Sequence, residues 1–321
     1  MENFEKDITK KLVEKIKFEL KKVIVEQDEL IEYSLISLFS GGHVLLEGFP
    51  GVAKTLMVRA LAKTLSVDFK RIQFTPDLMP ADVTGTKVFN MQTREFELKK
   101  GPIFTNFILA DEINRTPPKT QAGLLEAMAE STVSIDGDMF TLSAPFMVFA
   151  TQNPLEYEGT YSLPEALVDR FMMKLIIDYP SAVAEKEILK RHNEGFSSID
   201  LDKCKLQTVC SSEEILKCKE EIQGVKVEEA LMEYIVNIVY ETRNNPIIEI
   251  GSSPRGTIAL LQSSKTCAAI CGRDYVIPED IKKMAIPTLR HRITLKPELE
   301  LEGIMPKEVL IDILSKVKVP R

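Results

Sequence analysis

Apolar residues recur every four positions at Phe4, Ile8, Leu12, Ile16 and Leu20, with Lys and Glu between them. That is the period of an amphipathic helix with one buried face. A second helix is predicted over about 28–40, carrying Leu30, Ile31, Leu35, Ile36 and Leu38, with Asp28 as N-cap and Gly41-Gly42 as the stop. The pattern then changes. His43-Val44-Leu45-Leu46 is a short apolar run that predicts a buried strand, and further runs follow at 71–74, 106–110 and 146–150. Between them, Leu56, Val58, Leu61, Ala62 and Leu65 keep helical spacing, 120–130 is helical, and 133–142 predicts a hairpin turning at Asp136-Gly137. Strands alternating with helices predict an α/β fold, a parallel sheet flanked by helices. After Tyr179-Pro180, β-branched runs are scarce and helices are predicted at 184–191, 212–223, 228–243, 257–271 and 278–286. The expected division is an α/β core over 1–180 and an all-α domain over 181–321.

Composition narrows the classes. A chain of 321 residues exceeds one typical domain, which agrees with the division. Its 41 basic and 48 acidic residues leave a net charge of −7, which argues against nucleic acid as a partner, although a local basic patch is compatible with it. Apolar stretches such as 107–110 and 146–150 are far shorter than the ~20 residues of a membrane span, so no membrane insertion is expected. The N-terminus lacks the apolar core and cleavage site of a signal peptide, so a cytoplasmic location is expected. Five cysteines without a C-x-x-C pair, and histidines as far apart as His43, His192 and His291, argue against a disulfide framework or a His/Cys metal site.

Candidate chemistry starts where the first strand runs into Gly48-Phe49-Pro50-Gly51-Val52-Ala53-Lys54-Thr55 and a helix opens at Leu56. A loop in that context binds phosphates: glycines let backbone N–H groups point inward, Lys54 can reach β- and γ-phosphates, and the Thr55 hydroxyl can coordinate Mg²⁺. Ala53 stands where the usual motif has its last glycine, which requires negative φ or some strain. The octapeptide alone leaves a Gly/Pro-rich turn before a helix as an alternative. The candidate nucleotide-binding set is Gly48, Pro50, Gly51, Val52, Ala53, Lys54, Thr55 and Leu56. The run FILADE ends in Asp111, a second candidate Mg²⁺ ligand, and Glu112, placed to polarise an attacking water. An acidic strand end capping the next turn is the alternative. Asn153, after the fourth run, is a candidate for binding the γ-phosphate or the water; by itself, Asn-Pro is a turn signal.

Together the phosphate loop, LADEINRTPPKTQAGLLEAM, PFMVFATQNPLEYEGTYSLPEALVDRF and SPRGTIALL resemble the MoxR family of AAA+ ATPases, in register from about Val25 to the C-terminal end. The resemblance implies a P-loop NTPase (AAA+) core with a helical lid, a homo-oligomeric ring, usually a hexamer, and ATP between neighbouring subunits. It implies Lys54 and Thr55 as Walker A, Asp111 and Glu112 as Walker B, and Asn153 as sensor 1. Arg170 would be an arginine finger reaching a neighbour's γ-phosphate, and Arg255 a sensor 2 carried by the lid. From the residues alone, Arg170 pairing with Asp169 or Glu165, and Arg255 merely starting a helix, stay open. The implied activity is ATP hydrolysis that remodels, assembles or activates a protein partner, often one bearing a von Willebrand factor A domain. Alternatives are a nucleotide-controlled binding switch and a nucleic-acid motor. The sequence departs from the family at Val25-Glu26-Gln27, which lacks a usual glycine, and at Leu167-Val168 before Asp169-Arg170. The 133–142 hairpin fits either a projection toward a ring pore or partner, or a sheet edge, and the charged 85–100 stretch is equally open.

Overall fold

The computed structural model describes residues 7–153, 160–198, 200–201 and 203–320; Phe4 of the first helical pattern lies outside the described residues. The strands in chain order are β1 (His43–Gly48), β2 (Phe69–Gln73), β3 (Gly85–Asn90), β4 (Glu95–Lys100), β5 (Phe107–Asp111), β6 (Thr132–Ile135), β7 (Asp138–Thr141), β8 (Met147–Gln152), β9 (Phe171–Ile177), β10 (Ile248–Ile250) and β11 (Thr294–Leu295). Five of them form one sheet in the order β2-β5-β8-β1-β9. Every neighbouring pair is parallel. The central strands are continuous apolar runs because helices cover both faces, leaving no face that selects polar residues. Along β1, Val44 and Leu46 enter one apolar cluster and Leu45 the other, as alternation across a strand requires.

The helices are α1 (Ile8–Leu20), α2 (Asp28–Phe39), α3 (Lys54–Thr64), α4 (Pro80–Thr84), α5 (Pro118–Glu130), α6 (Glu165–Val168), α7 (Ala182–Asn193), α8 (Ser212–Gln223), α9 (Glu229–Asn244), α10 (Pro254–Ile270), α11 (Pro278–Leu289), α12 (Pro297–Leu301) and α13 (Pro306–Lys316). Leu124, Ala127 and Met128 of α5 cover one face of the sheet. Leu35 of α2 and Val58 and Leu61 of α3 cover the other. From α7 onward the described chain is helical apart from the antiparallel pair β10–β11. Its buried residues Tyr234, Leu260, Ile281 and Leu310 belong to the same cluster as Leu46 and Phe149. The N-terminal helices make this continuity: α1 rests on α3, α8 and α10, and α2 touches α8 and α10. No helix among the described residues is long and apolar enough to cross a membrane.

Several elements differ from expectation. Strand β9 was not anticipated: Lys174 interrupts its apolar run and Ile176 is exposed, as suits an edge strand. Lys174 is held by Glu47 of the adjacent strand at 2.8 Å. The 85–100 stretch is the hairpin β3–β4, whose residues are largely exposed and so carry no inward-facing stripe. Hairpin β6–β7 is a two-stranded sheet of its own, which removes the reading of it as an edge of the main sheet. The two hairpins meet, since Lys87 N donates to Asp136 Oδ2 at 3.2 Å and Lys87 Nζ pairs with Asp138. Asp28 is the first helical residue of α2 rather than its cap; Gln27 holds the cap position at φ 68. There Asp28 and Glu29 still complement the positive end of the helix.

Candidate functional site

A parallel sheet offers a crevice beyond the carboxyl ends of its strands, where the loops diverge. Here that crevice is a cleft of about 550 Å³, lined by Pro50, Gly51 and Ala53 of the loop after β1, by Lys54, Thr55 and Leu56 at the start of α3, and by Asp111, Glu112, Thr151 and Asn153 at the carboxyl ends of β5 and β8. Val23, Ile24 and Val25 close one side, with Ile188, Arg191, His192 and Phe196 from α7 and just beyond.

The loop's small residues have separate reasons. A Cβ on Gly48 would stand 2.6 Å from the Ile177 carbonyl oxygen, so strand β9 demands that glycine. Gly51 takes φ +86 and a Cβ there would meet nothing within 4 Å, so its backbone faces open space. Ala53 adopts φ 61 as N-cap of α3. Of the two possibilities, negative φ or strain, the structure shows the second: the residue accepts left-handed strain of roughly 1–2 kcal/mol because the loop must turn sharply into the helix. Lys54 Nζ lies back across the loop and donates to the Gly48 carbonyl at 2.6 Å.

At the end of β5 a polar network sets the two carboxylates. Asp111 Oδ1 accepts from Thr151 Oγ1 at 2.5 Å, and Thr151 Oγ1 accepts from the Glu112 backbone N–H at 2.9 Å. Asp111 Oδ2 accepts from Arg71 Nε and Nη2 at 3.0 and 2.7 Å. Glu112 Oε2 accepts from Gln73 Nε2 at 2.7 Å and from Arg115 Nη1 at 3.3 Å. Arg71, Gln73, Arg115 and Thr151 were not singled out from the sequence. The parallel register that sets Gln73 beside Asp111 is the signal that would have found the two β2 residues. Gly51's open backbone, a lysine, a hydroxyl at Thr55 and a carboxylate at Asp111 are a donor set suited to a polyphosphate with a hard, oxygen-seeking cation.

The two arginines lie elsewhere. Phe171 pairs with His43 at the amino end of the sheet, while Ile177 pairs with Gly48 at the carboxyl end. Arg170 therefore precedes β9 about 20 Å of strand away from the loop. Neither Arg170 nor Arg255 lines the cleft of its own chain. The Arg170 Nε is buried without a hydrogen-bond partner among the described residues. Asp169 is engaged by others: Ser253 Oγ donates to its oxygens at 3.0 and 2.9 Å, Arg292 Nε at 3.0 Å, and Arg255 Nη1 lies 3.5 Å away. Arg255 does open a helix, in the first turn of α10 behind the Ser253 cap. Burial pulls Arg292 down to about 10 against the lift from Asp169, so it stays charged at neutral pH. The 154–159 stretch that follows Asn153 lies outside the described residues.

Comparison with known proteins places this geometry. Residues 43–173 match the family model of the ATPase family associated with various cellular activities, and residues 240–313 match that of the AAA lid domain. The chaperone MoxR1 of Mycobacterium tuberculosis is 41% identical over 96% of this chain and 82% of its own. The chain belongs to the MoxR family of AAA+ ATPases. Two further relatives bracket the likeness within and beyond that name. YeaC of Bacillus subtilis is 49% identical over 94% of this chain and 92% of its own. The crystal structure of a candidate ATPase from Cytophaga hutchinsonii is 44% identical, covers 98% of this chain and 96% of its own, and superposes with a TM-score of 0.89. In MoxR terms, Asp169 and Arg170 close the ATPase core, and Ser253, Arg255 and Arg292 belong to the lid.

Proposed function

We propose that this MoxR-family chain binds ATP with Mg²⁺ in the Lys54 cleft and hydrolyses it within a cytoplasmic ring of identical subunits, hexameric by family analogy. The movement between the 1–180 core and the 181–321 lid, hinged near 178–181, would remodel a protein partner. The observation that carries this reading is a division: Lys54, Thr55, Asp111, Glu112 and Asn153 line one cleft, whereas Arg170 and Arg255 gather at the other end of the sheet. A site split between two ends of a subunit is completed by a head-to-tail neighbour, and a head-to-tail interface that closes gives a ring.

In this reading Lys54 leaves the Gly48 carbonyl and turns to the phosphates. Thr55 and Asp111 would hold Mg²⁺, which would supply positive charge to the phosphates when bound. Asp111 would then give up the Arg71 guanidinium that it holds here. Glu112, oriented by Gln73 and Arg115, takes the proton of the attacking water, and Asn153 fixes the water or the γ-phosphate. Arg170 and Arg255 of the neighbour meet the charge that spreads over the transferring phosphoryl group. A partner with a von Willebrand factor A domain is the occupant the family suggests for the remodelling surface.

The test is the mass of the Glu112→Gln protein with and without ATP and Mg²⁺, with its hydrolysis measured against wild type. The expected result is an ATP-dependent shift to a ring, with turnover reduced about 10²-fold or more. A monomer under both conditions would remove the neighbour from the site and leave a nucleotide-controlled switch.

A further inference from the structure

Arg292 sits just beyond α11 in the lid and is 8% exposed. An arginine side chain carries five N–H donors in a rigid fork. Here all five are used: Nε donates to Asp169 Oδ1, Nη2 to the carbonyls of Asp169 and Phe171, and Nη1 to those of Met172 and Thr288. Two of those carbonyls, at 3.0 and 2.8 Å, flank Arg170 on either side. Lys has three donors around one centre and cannot bracket a backbone in this way. A second lid element reinforces the grip, since Ser253 at the start of α10 donates to both oxygens of Asp169. His291 adds a bond to the Phe171 carbonyl at 2.8 Å. Even the glycine after Arg255 serves the arrangement: a Cβ at Gly256 would lie 3.0 Å from Arg292 Cδ and closer still to Ser252 Oγ.

An ion pair buried only for stability is readily replaced by apolar packing. This guanidinium instead spends most of its donors on the main chain around one residue, Arg170. We infer that Arg292 is a positioning residue for Arg170, locking residues 169–172 to the lid so that the lid's position in one subunit sets the arginine offered to the next. The clamp thereby ties a neighbour's site to the lid of the subunit that supplies the arginine. The inference rests on the reading that Arg170 acts on a neighbour's nucleotide.

The experiment mixes defective subunits. Arg170→Ala protein keeps an intact cleft, and Glu112→Gln protein keeps an intact Arg170, so their mixture regains hydrolysis if Arg170 works across the interface. Adding Arg292→Lys to the Glu112→Gln subunit is expected to cut that rescue by about tenfold to 100-fold, the effect of misplacing a catalytic group by roughly 1 Å. Adding it to the Arg170→Ala subunit is expected to leave rescue and the affinity for fluorescent ATP unchanged. Ser253→Gly in the Glu112→Gln subunit removes a milder part of the grip while keeping a tolerated helix cap, and is expected to lower rescue by about threefold. Equal loss from both placements of Arg292→Lys, or undiminished rescue with both Arg292→Lys and Ser253→Gly, would overturn the clamp. No rescue in the parent mixture would overturn the neighbour-acting Arg170 itself, a separate and recognisable outcome.

Discussion

The Lys54 cleft and the Asp169 cluster each join an arginine to an aspartate, and they do so in opposite ways. Arg71 meets Asp111 with half of its side chain exposed, whereas the Arg292 side chain meets Asp169 at 2% exposure. In the cleft, Lys54, Asp111 and Glu112 are bonded to groups that an incoming ligand can displace. In the cluster the guanidinium has no donor left to give. Exposed pairs contribute little to stability, typically about 0–1 kcal/mol, and are exchanged easily, while buried ones are destabilising to break. The difference shows how one sheet can carry an exposed ion pair that is easily exchanged at one end and a buried one that is costly to break at the other.

The largest break in this comparison is expected from Arg170, which stands at the joint and which we propose acts in the chemistry. Arg170→Ala should lower kcat by about 10³-fold with ATP affinity kept, as read by steady-state hydrolysis and nucleotide titration. Unchanged turnover per site would place Arg170 with the structural half of the contrast.

A pH titration sharpens the contrast next. His43 accepts from Val148 N–H and bonds the Met128 carbonyl, both at 3.1 Å, beneath the sheet's amino end. Burial pushes its pKa from 6.5 to about 4. His291 is lowered for the same first reason, burial, with Arg292 adding to it. Between these limits the unfolded chain takes up a proton that the folded chain refuses, so stability is full above pH 6.5 and falls as the pH drops toward 4. The His43 contribution is on the order of 3 kcal/mol, and His43→Gln, which keeps one donor and one acceptor, should flatten part of the fall in a thermal denaturation series. An unchanged slope would remove His43 from the acid response. The smallest effect is expected in the loop: Ala53→Gly should relieve the left-handed backbone and raise stability by about 1 kcal/mol in chemical denaturation. A loss of stability would mean that the φ of 61 is not strained in its setting.

The same contrast governs what was legible in the sequence. Strands β1, β5 and β8 stand out because burial on both faces leaves unbroken apolar runs, and the cleft residues stand out because each ends such a run. Strand β9 was hidden by Lys174, whose charge is answered by Glu47 on the neighbouring strand. The exposed hairpin β3–β4 has no buried stripe to announce it. Arg71 and Gln73 looked like ordinary strand positions until the register set them beside β5. Arg292 was least legible, because Arg290-His291-Arg292 after a helix resembles a basic C-terminal end that complements the dipole. Four of its five hydrogen bonds reach more than a hundred residues back, and no local pattern encodes them.

The two loop glycines carry different kinds of inheritance. Gly48 is held by the Ile177 carbonyl and would be required by the sheet even in a descendant that never met a nucleotide. Gly51 has open space where a Cβ would stand, so its left-handed φ of +86 and whatever enters the cleft, rather than packing, keep it a glycine. Among relatives of this chain, loss of the second glycine with retention of the first would therefore mark a lineage whose loop had left its left-handed turn while the sheet beneath it stayed as it was.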